Sequence, residues 1–176
     1  MTSAFEIRPL GPGDTALAEP LAELVNVVYD AAEAGMWQAG AQRTTTAEIA
    51  QLIAAGEIVV AIRGDAPVGM VRVRDVTADT SEFGMLVAAP SERNTGVGRA
   101  LLDFAERTGA ERGMATMRLE LLVPREWTHP SKEFLKGWYG RRGYRLTRTG
   151  KLDDAYPHLA PHLATPCDLE IHAKPL

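Results

Sequence analysis

The sequence predicts an α/β chain with a mixed, mostly antiparallel central sheet flanked by helices. Three observations carry this expectation. Apolar runs of strand length, Phe83–Ala88 and Thr116–Val123, each pass through a loop into a helical segment. Two further runs, at 58–63 and 68–74, are separated only by the turn Gly64-Asp65-Ala66-Pro67. The order is then one strand, two helices, several strands, two strand–helix units and a strand, which is an α/β pattern. At 176 residues the chain is expected to form one domain over 1–176.

The elements follow in order. Phe5 to Leu10 reads as a strand stopped at Pro9, and Gly11-Pro12-Gly13-Asp14 as a turn. Asp14 is placed to cap a helix with Leu17, Leu21, Leu24, Val25 and Val28 on one face. Residues 30–43 break that pattern and leave Met36 and Trp37 exposed between Gly35 and Gly40. Thr45 and Glu48 have capping-box spacing for a second helix, with an apolar stripe of Ile49, Leu52 and Ile53 and a stop at Gly56. In the strand at 68–74, Val71 and Val73 alternate with Arg72 and Arg74, as on a half-buried sheet. The run from Glu82 through Ala88 closes at Ala89-Pro90-Ser91, and a helix carrying Leu101, Leu102 and Ala105 ends near Gly113. The strand from Thr116 stops at Pro124, and 125–130 form a loop. A helix from Ser131 to Arg142 is closed by Gly143, and a strand begins at Tyr144. A tail spaced by Pro157, Pro161 and Pro166 leads to a last strand at 168–173.

Composition excludes several classes. The hydrophobic fraction is 45% and the charged fraction 24%, ordinary for a globular chain. Net charge is −4 with no basic stripe, so nucleic acid is not expected as a partner. Cys167 is the only cysteine, which rules out an internal disulfide framework and a cysteine-rich metal site. His158, His162 and His172 lack ligand-like spacing with carboxylates, so no metal is assigned. No apolar run reaches membrane-spanning length, and the N-terminus lacks the charged start and apolar core of a secretory leader. A cytoplasmic protein without a membrane partner is expected. The proline-spaced tail from Tyr156 covers either the chain's own sheet or that of a second copy, so a homodimer stays open.

The stretch with most chemical content is Arg93-x-x-Gly96-x-Gly98, set between a strand and a helix. Amides at a helix entry point toward an anion, and the helix dipole adds partial positive charge. Glycines let the backbone approach a diphosphate closely. Arg99-Ala100 after Gly98 excludes a Walker loop, and no third glycine completes a dinucleotide fingerprint. Arg93 can reach back over the phosphates.

With these residues the chain resembles the GNAT superfamily of acetyl-CoA-dependent N-acetyltransferases. The resemblance covers about residues 5–148, leaving 149–176 as a C-terminal extension, and is strongest over 82–113 and 131–146. It implies acetyl-CoA as cosubstrate. It further implies that Asn94, Thr95, Gly96, Val97, Gly98 and Arg99 hold the pyrophosphate, and that Leu86, Val87 and Ala88 contact the pantetheine arm. Many members carry glycine where Asn94 stands, but asparagine tolerates a positive φ. Many also carry asparagine where Lys132 stands, so Lys132 is expected as a solvated helix-start residue, or as a contact to the adenosine phosphates.

Acetyl transfer to an amine requires a neutral amine, a donor for the thioester oxygen and a proton for the departing thiolate. Trp138-Tyr139-x-x-x-Gly143-Tyr144 resembles the family signature whose tyrosine sits beside the sulfur, which makes Tyr139 the candidate acid. Two positions that carry the base in different relatives hold Glu82 and Glu120, and a water chain serves in others. His129 is read as an exposed loop residue. Met36 and Trp37 fall in the region that shapes acceptor specificity in similar proteins. The expected activity is transfer of an acetyl or short acyl group to a small-molecule or peptide amine. The rivals are an acyl-CoA sensor without turnover and a regulatory module binding another nucleotide.

Overall fold

Seven strands form one sheet in a computed structural model that describes residues 4–176. Met1–Ser3, the start of the stretch read as lacking a leader, lie outside the described residues. The strands are β1 (Glu6–Pro9), β2 (Ile58–Arg63), β3 (Ala66–Asp75), β4 (Thr80–Ala88), β5 (Thr116–Pro124), β6 (Arg145–Lys151) and β7 (Cys167–Pro175). Their spatial order is β1-β2-β3-β4-β5-β7-β6. Every neighbouring pair is antiparallel except β4 and β5, which run parallel.

The helices are α1 (Ala18–Ala32), α2 (Thr46–Ala54), α3 (Val97–Glu111), α4 (Pro130–Arg141) and the short α5 (Leu152–Ala155). Strand alternation sorts their partners. Ile58 and Val60 of β2 pack with Leu21, Val25, Ile49 and Ile53 of α1 and α2. Val59 and Ala61 point the other way, into a cluster with Leu101 and Leu102 of α3 and Tyr139 of α4. Each face of the sheet thus carries helices, as the expected α/β architecture requires. Among the described residues no helix is long and apolar enough to cross a membrane.

Some local expectations are corrected. Asp14 does not cap α1: it lies in a 3-10 turn, accepting from the Gly11 amide at 2.9 Å and from Arg8 at 3.0 Å, and α1 starts at Ala18. Pro20 is tolerated because it falls in the first turn of α1. Thr45 does cap α2, accepting from the Glu48 amide at 3.1 Å, but the Glu48 carboxylate takes the Thr44 hydroxyl instead of closing the box. The tail holds α5 and a 3-10 turn that the proline spacing concealed. Its last strand is longer than expected and lies between β5 and β6, paired with both.

Two features position a cleft. β4 and β5 pair only from Thr80↔Thr116 to Phe83↔Leu119, and then part. β4 also bulges just beyond that point: Gly84 and Val87 pair with Arg72 and Met70, and Met85 adopts φ 48°.

Candidate functional site

The loop before α3 is built to leave its amides free. The Glu92 carboxylate, 8% exposed, anchors it by taking two hydrogen bonds from Arg63 at 2.9 and 2.8 Å and one from the Thr95 hydroxyl at 2.8 Å. The Arg63 and Thr95 bonds hold the Glu92 carboxyl below its ordinary range. Asn94 (φ 64°) and Gly96 (φ 90°) both take left-handed backbone, as expected for asparagine and glycine at those places. Beyond the Thr95 amide, which bonds Glu92, the first helical bond is Ala100 to Gly96. The amides of Gly96, Val97, Gly98 and Arg99 are the unpaired donors of a helix start. α3 sits close against the sheet here, because a Cβ on Gly69 of β3 would meet Val97 Cγ1 at 2.7 Å and the Val87 carbonyl at 2.8 Å. Arg93 and Arg99 are exposed; Arg99 approaches Asp103 at 3.9 Å.

Where β4 and β5 part, a cavity of about 310 Å³ opens, lined in part by Phe83, Met85, Leu86, Val87 and Tyr139. Ala88 lies outside that lining and packs against the α3-side core. Tyr139 is held by aromatic edges, with its ring centroid 5.7 Å from Phe83 and 5.9 Å from Tyr144. Tyr144 is fixed in turn by donating to Glu106 at 2.9 Å. Burial pushes the Tyr139 phenol well above its ordinary pKa, aided by Tyr29, and it stays protonated at neutral pH.

Both candidate carboxylates face the same cavity. They differ in their partners. Glu82 Oε1 accepts from Arg74 at 3.0 and 2.7 Å, and Oε2 from Arg118 Nε at 2.7 Å, so both oxygens are engaged by guanidinium groups. Glu120 Oε2 accepts from the Tyr156 hydroxyl at 2.5 Å, and Oε1 has only Arg118 at 3.9 Å. Burial and the Glu120 carboxylate together push the Tyr156 phenol up.

Several expected residues sit elsewhere or do something else. Met36 is fully buried, packed with Leu122, Leu152, Cys167 and Leu169, and is not exposed. It is held there because the 36–38 segment bonds to the tail: Gln38 to the His162 carbonyl, and Ala164 to the Met36 carbonyl. Trp37 is absent from the cavity lining too, and its Nε1 donates to Glu33 at 2.6 Å. Lys132 is not a solvated helix-start residue: 4% exposed, it donates to Glu33 at 2.6 Å. His129 is not an exposed loop residue. It caps α4, with Nδ1 accepting from the Ser131 amide at 3.2 Å and Nε2 donating to the Ala34 carbonyl at 3.1 Å. These groups form a strut from the end of α1 to the start of α4 beside the cavity.

Sequence reasoning missed Glu33, Arg43, Tyr29 and Tyr156, all in the lining. Glu33 is the C-cap of α1, inside the 30–43 stretch read as a break, and Tyr29 stands just before it, so neither fell on the expected apolar face. Arg43 looked like one more loop cation, and Tyr156 fell in a tail with no pattern to assign it. No group of His, Cys, Asp and Glu that could hold a metal ion occurs among the described residues.

A family model described as "Acetyltransferase (GNAT) family" matches residues 23–143. Against curated proteins the chain finds no match. Among solved structures it is similar to an aminoglycoside 6'-N-acetyltransferase complexed with coenzyme A, at 16% identity and TM-score 0.72, covering 97% of this chain and 96% of that one. It is similar to the ribosomal-protein-S18-alanine N-acetyltransferase from Escherichia coli at 17% identity and TM-score 0.66, covering 98% and 94%. It is also similar to Ard1 from Thermoplasma volcanium at 18% identity and TM-score 0.66, covering 98% of each chain. At such identities the likeness is one of fold.

Proposed function

Because the chain belongs to the acetyltransferase (GNAT) family, we infer that it transfers an acetyl or other short acyl group from coenzyme A to an amine, by direct attack with both substrates bound. One observation carries this reading. The loop with unpaired helix-start amides directly follows β4, and the same strand lines a cavity that holds a buried tyrosine and an accessible carboxylate.

The loop fits a diphosphate. Its amides from Gly96 to Arg99 are donors in need of an acceptor, and the α3 dipole favours negative charge there. Arg93 and Arg99 add exposed cations at its rim. Leu86 and Val87 lie on the path from this loop to Tyr139, on the side where β4 has lost its neighbour, and so present backbone and side chain to a pantetheine arm. When bound, acetyl-CoA supplies a thioester carbonyl.

Glu120 takes the proton from the incoming ammonium, because Oε1 has no close donor. Tyr156 holds the other oxygen and so fixes the direction in which Glu120 accepts. Glu82 is the positioning residue, drawing Arg74 and Arg118 together under the cleft. Tyr139 gives its proton to the departing thiolate and regains one as the acylated nitrogen sheds its second proton, so the phenol ends as it began; burial keeps it protonated until the transfer. Each proton transfer is worth about 10²–10⁴-fold in rate.

The test is release of free thiol from acetyl-CoA with a panel of amines, run beside calorimetry with coenzyme A. Turnover is expected with at least one amine. Coenzyme A binding without turnover on any amine favours the sensor reading, and no binding at all removes both.

A further inference from the structure

Building on that reading, we propose that the acceptor is an α-amino acid with an apolar side chain, and that Arg43 binds its carboxylate. Arg43 faces the cavity with its guanidinium between two aromatic faces, 4.7 Å from the Tyr29 centroid and 5.0 Å from that of Trp37. Its backbone is clamped. Asn26 Oδ1 accepts from the amides of Arg43 (2.9 Å) and Thr44 (3.1 Å), while Asn26 Nδ2 donates to the Thr44 carbonyl at 3.0 Å. The group is therefore presented rigidly, as a binding group must be.

Its donors are not used up by the protein. A guanidinium carries five N–H donors. Arg43 Nε is buried on the side of Glu33, 3.5 Å away, while the side chain as a whole stays 25% exposed, so its terminal nitrogens are the donors left for a ligand. Glu33 is already committed, Oε1 to Lys132 and Oε2 to Trp37, each at 2.6 Å. Glu33, Lys132 and Arg43 together leave one positive charge.

The other cations in the lining each donate to a carboxylate: Arg72 to Glu57 at 2.6 Å, Arg74 to Glu82 and Lys132 to Glu33, whereas the lining carboxylate Glu48 takes only the Thr44 hydroxyl. Arg43 is the lining cation left without a hydrogen-bonded carboxylate among the described residues, and it calls for one from the ligand.

The spacing favours an α-amino acid. Arg43, Glu120 and Tyr139 all line the one cavity of about 310 Å³. The anion site and the two proton-transfer groups thus share a small space, which suits an amine and a carboxylate carried close together. Val28, Ala32, Leu122 and Leu159 in the lining fit an apolar side chain.

The experiment compares L-leucine, L-methionine and L-phenylalanine with their amides and their decarboxylated amines, by thiol release. The amino acids are expected to show about 10- to 100-fold higher kcat/KM than their matched amines, the worth of a charge-assisted pair. R43M should bring that ratio close to one. R43K, which keeps the charge without the planar fork, should leave an intermediate ratio, with thermal melts reporting that each variant is folded. Equal rates on matched pairs, a preference unchanged in R43M, or turnover confined to polyamines or peptides overturns the inference while acetyl transfer stands. No turnover of any amine, with no heat on adding coenzyme A, overturns acetyl transfer itself and this inference with it.

Discussion

The Tyr156 hydroxyl donates to Glu120 Oε2 at 2.5 Å, tying the C-terminal segment to β5 at the cleft. The C-terminal extension therefore completes the wall in which the proposed base stands. Glu120→Gln should lower kcat by about 10²–10⁴-fold and flatten the acidic limb of the rate profile. Tyr156→Phe removes only the hydrogen bond that aims the carboxylate, worth about 1 kcal/mol or fivefold in rate. Glu82→Gln should leave the acidic limb in place. An unaltered limb in Glu120→Gln would reject the assignment.

Tyr139→Phe keeps the ring packed against Phe83 and Tyr144 and deletes the proton. We expect kcat to fall by about 10²-fold or more, with little change in KM for acetyl-CoA. Steady-state kinetics at saturating amine measures this directly.

Two glycines separate backbone strain from ligand contact. Gly96 sits at φ 90° with open space around its missing Cβ, so Gly96→Ala costs stability through conformation alone, about 1–2 kcal/mol. Gly98 also has open space and lies inside α3, so Gly98→Ala should raise stability by up to about 1 kcal/mol. If a diphosphate packs on that turn, Gly98→Ala nevertheless weakens coenzyme A binding. Thermal melts and calorimetry on the two variants test this.

Glu33 supplies a pH dependence of known sign. Burial alone pushes its carboxyl up, but Arg43 and Lys132 outweigh burial and hold it below the ordinary 4.5. The folded form thus binds this proton less readily than the unfolded form. The stabilisation is complete above about pH 4.5 and is lost as pH falls through the folded value. Glu33→Ala should cost about 3–5 kcal/mol at neutral pH, because it strands buried Lys132. The double variant Glu33→Gln/Lys132→Met should recover much of that loss and show a smaller drop in Tm below pH 4.5 than the wild type.

Cys167 is 5% exposed, and burial pushes its thiol up to about 11. It should resist a thiol reagent at pH 8 in the folded protein and react at once in denaturant. Fast labelling of native protein would contradict the packing of this cluster.

Periodicity made the sheet and the long helices legible. Val71 and Val73 alternating with arginines, and the stripe Ile49, Leu52 and Ile53, are local signals that tertiary packing did not override. The loop was legible because glycine and asparagine are the residues that left-handed backbone selects, at Gly96 and Asn94. What sequence left hidden is pairwise. Glu33 and Lys132 are ninety-nine residues apart and Arg118 and Glu82 thirty-six, and no spacing rule joins them. The bulge at Met85 was equally hidden, since a non-glycine residue gives no advance sign of a positive φ.

The parting of β4 from β5 has a mechanical consequence. Only four residue pairs, Thr80–Phe83 against Thr116–Leu119, stitch the β1–β4 half of the sheet to the β5–β7–β6 half. Beyond them the sheet has an internal seam, with one margin of β4 lacking a strand neighbour. A slender ligand with amide groups along its length can zip that seam, so cargo becomes a temporary rivet between the halves. Loading the molecule should therefore stiffen it as a whole, slowing amide exchange in strands that never touch the ligand.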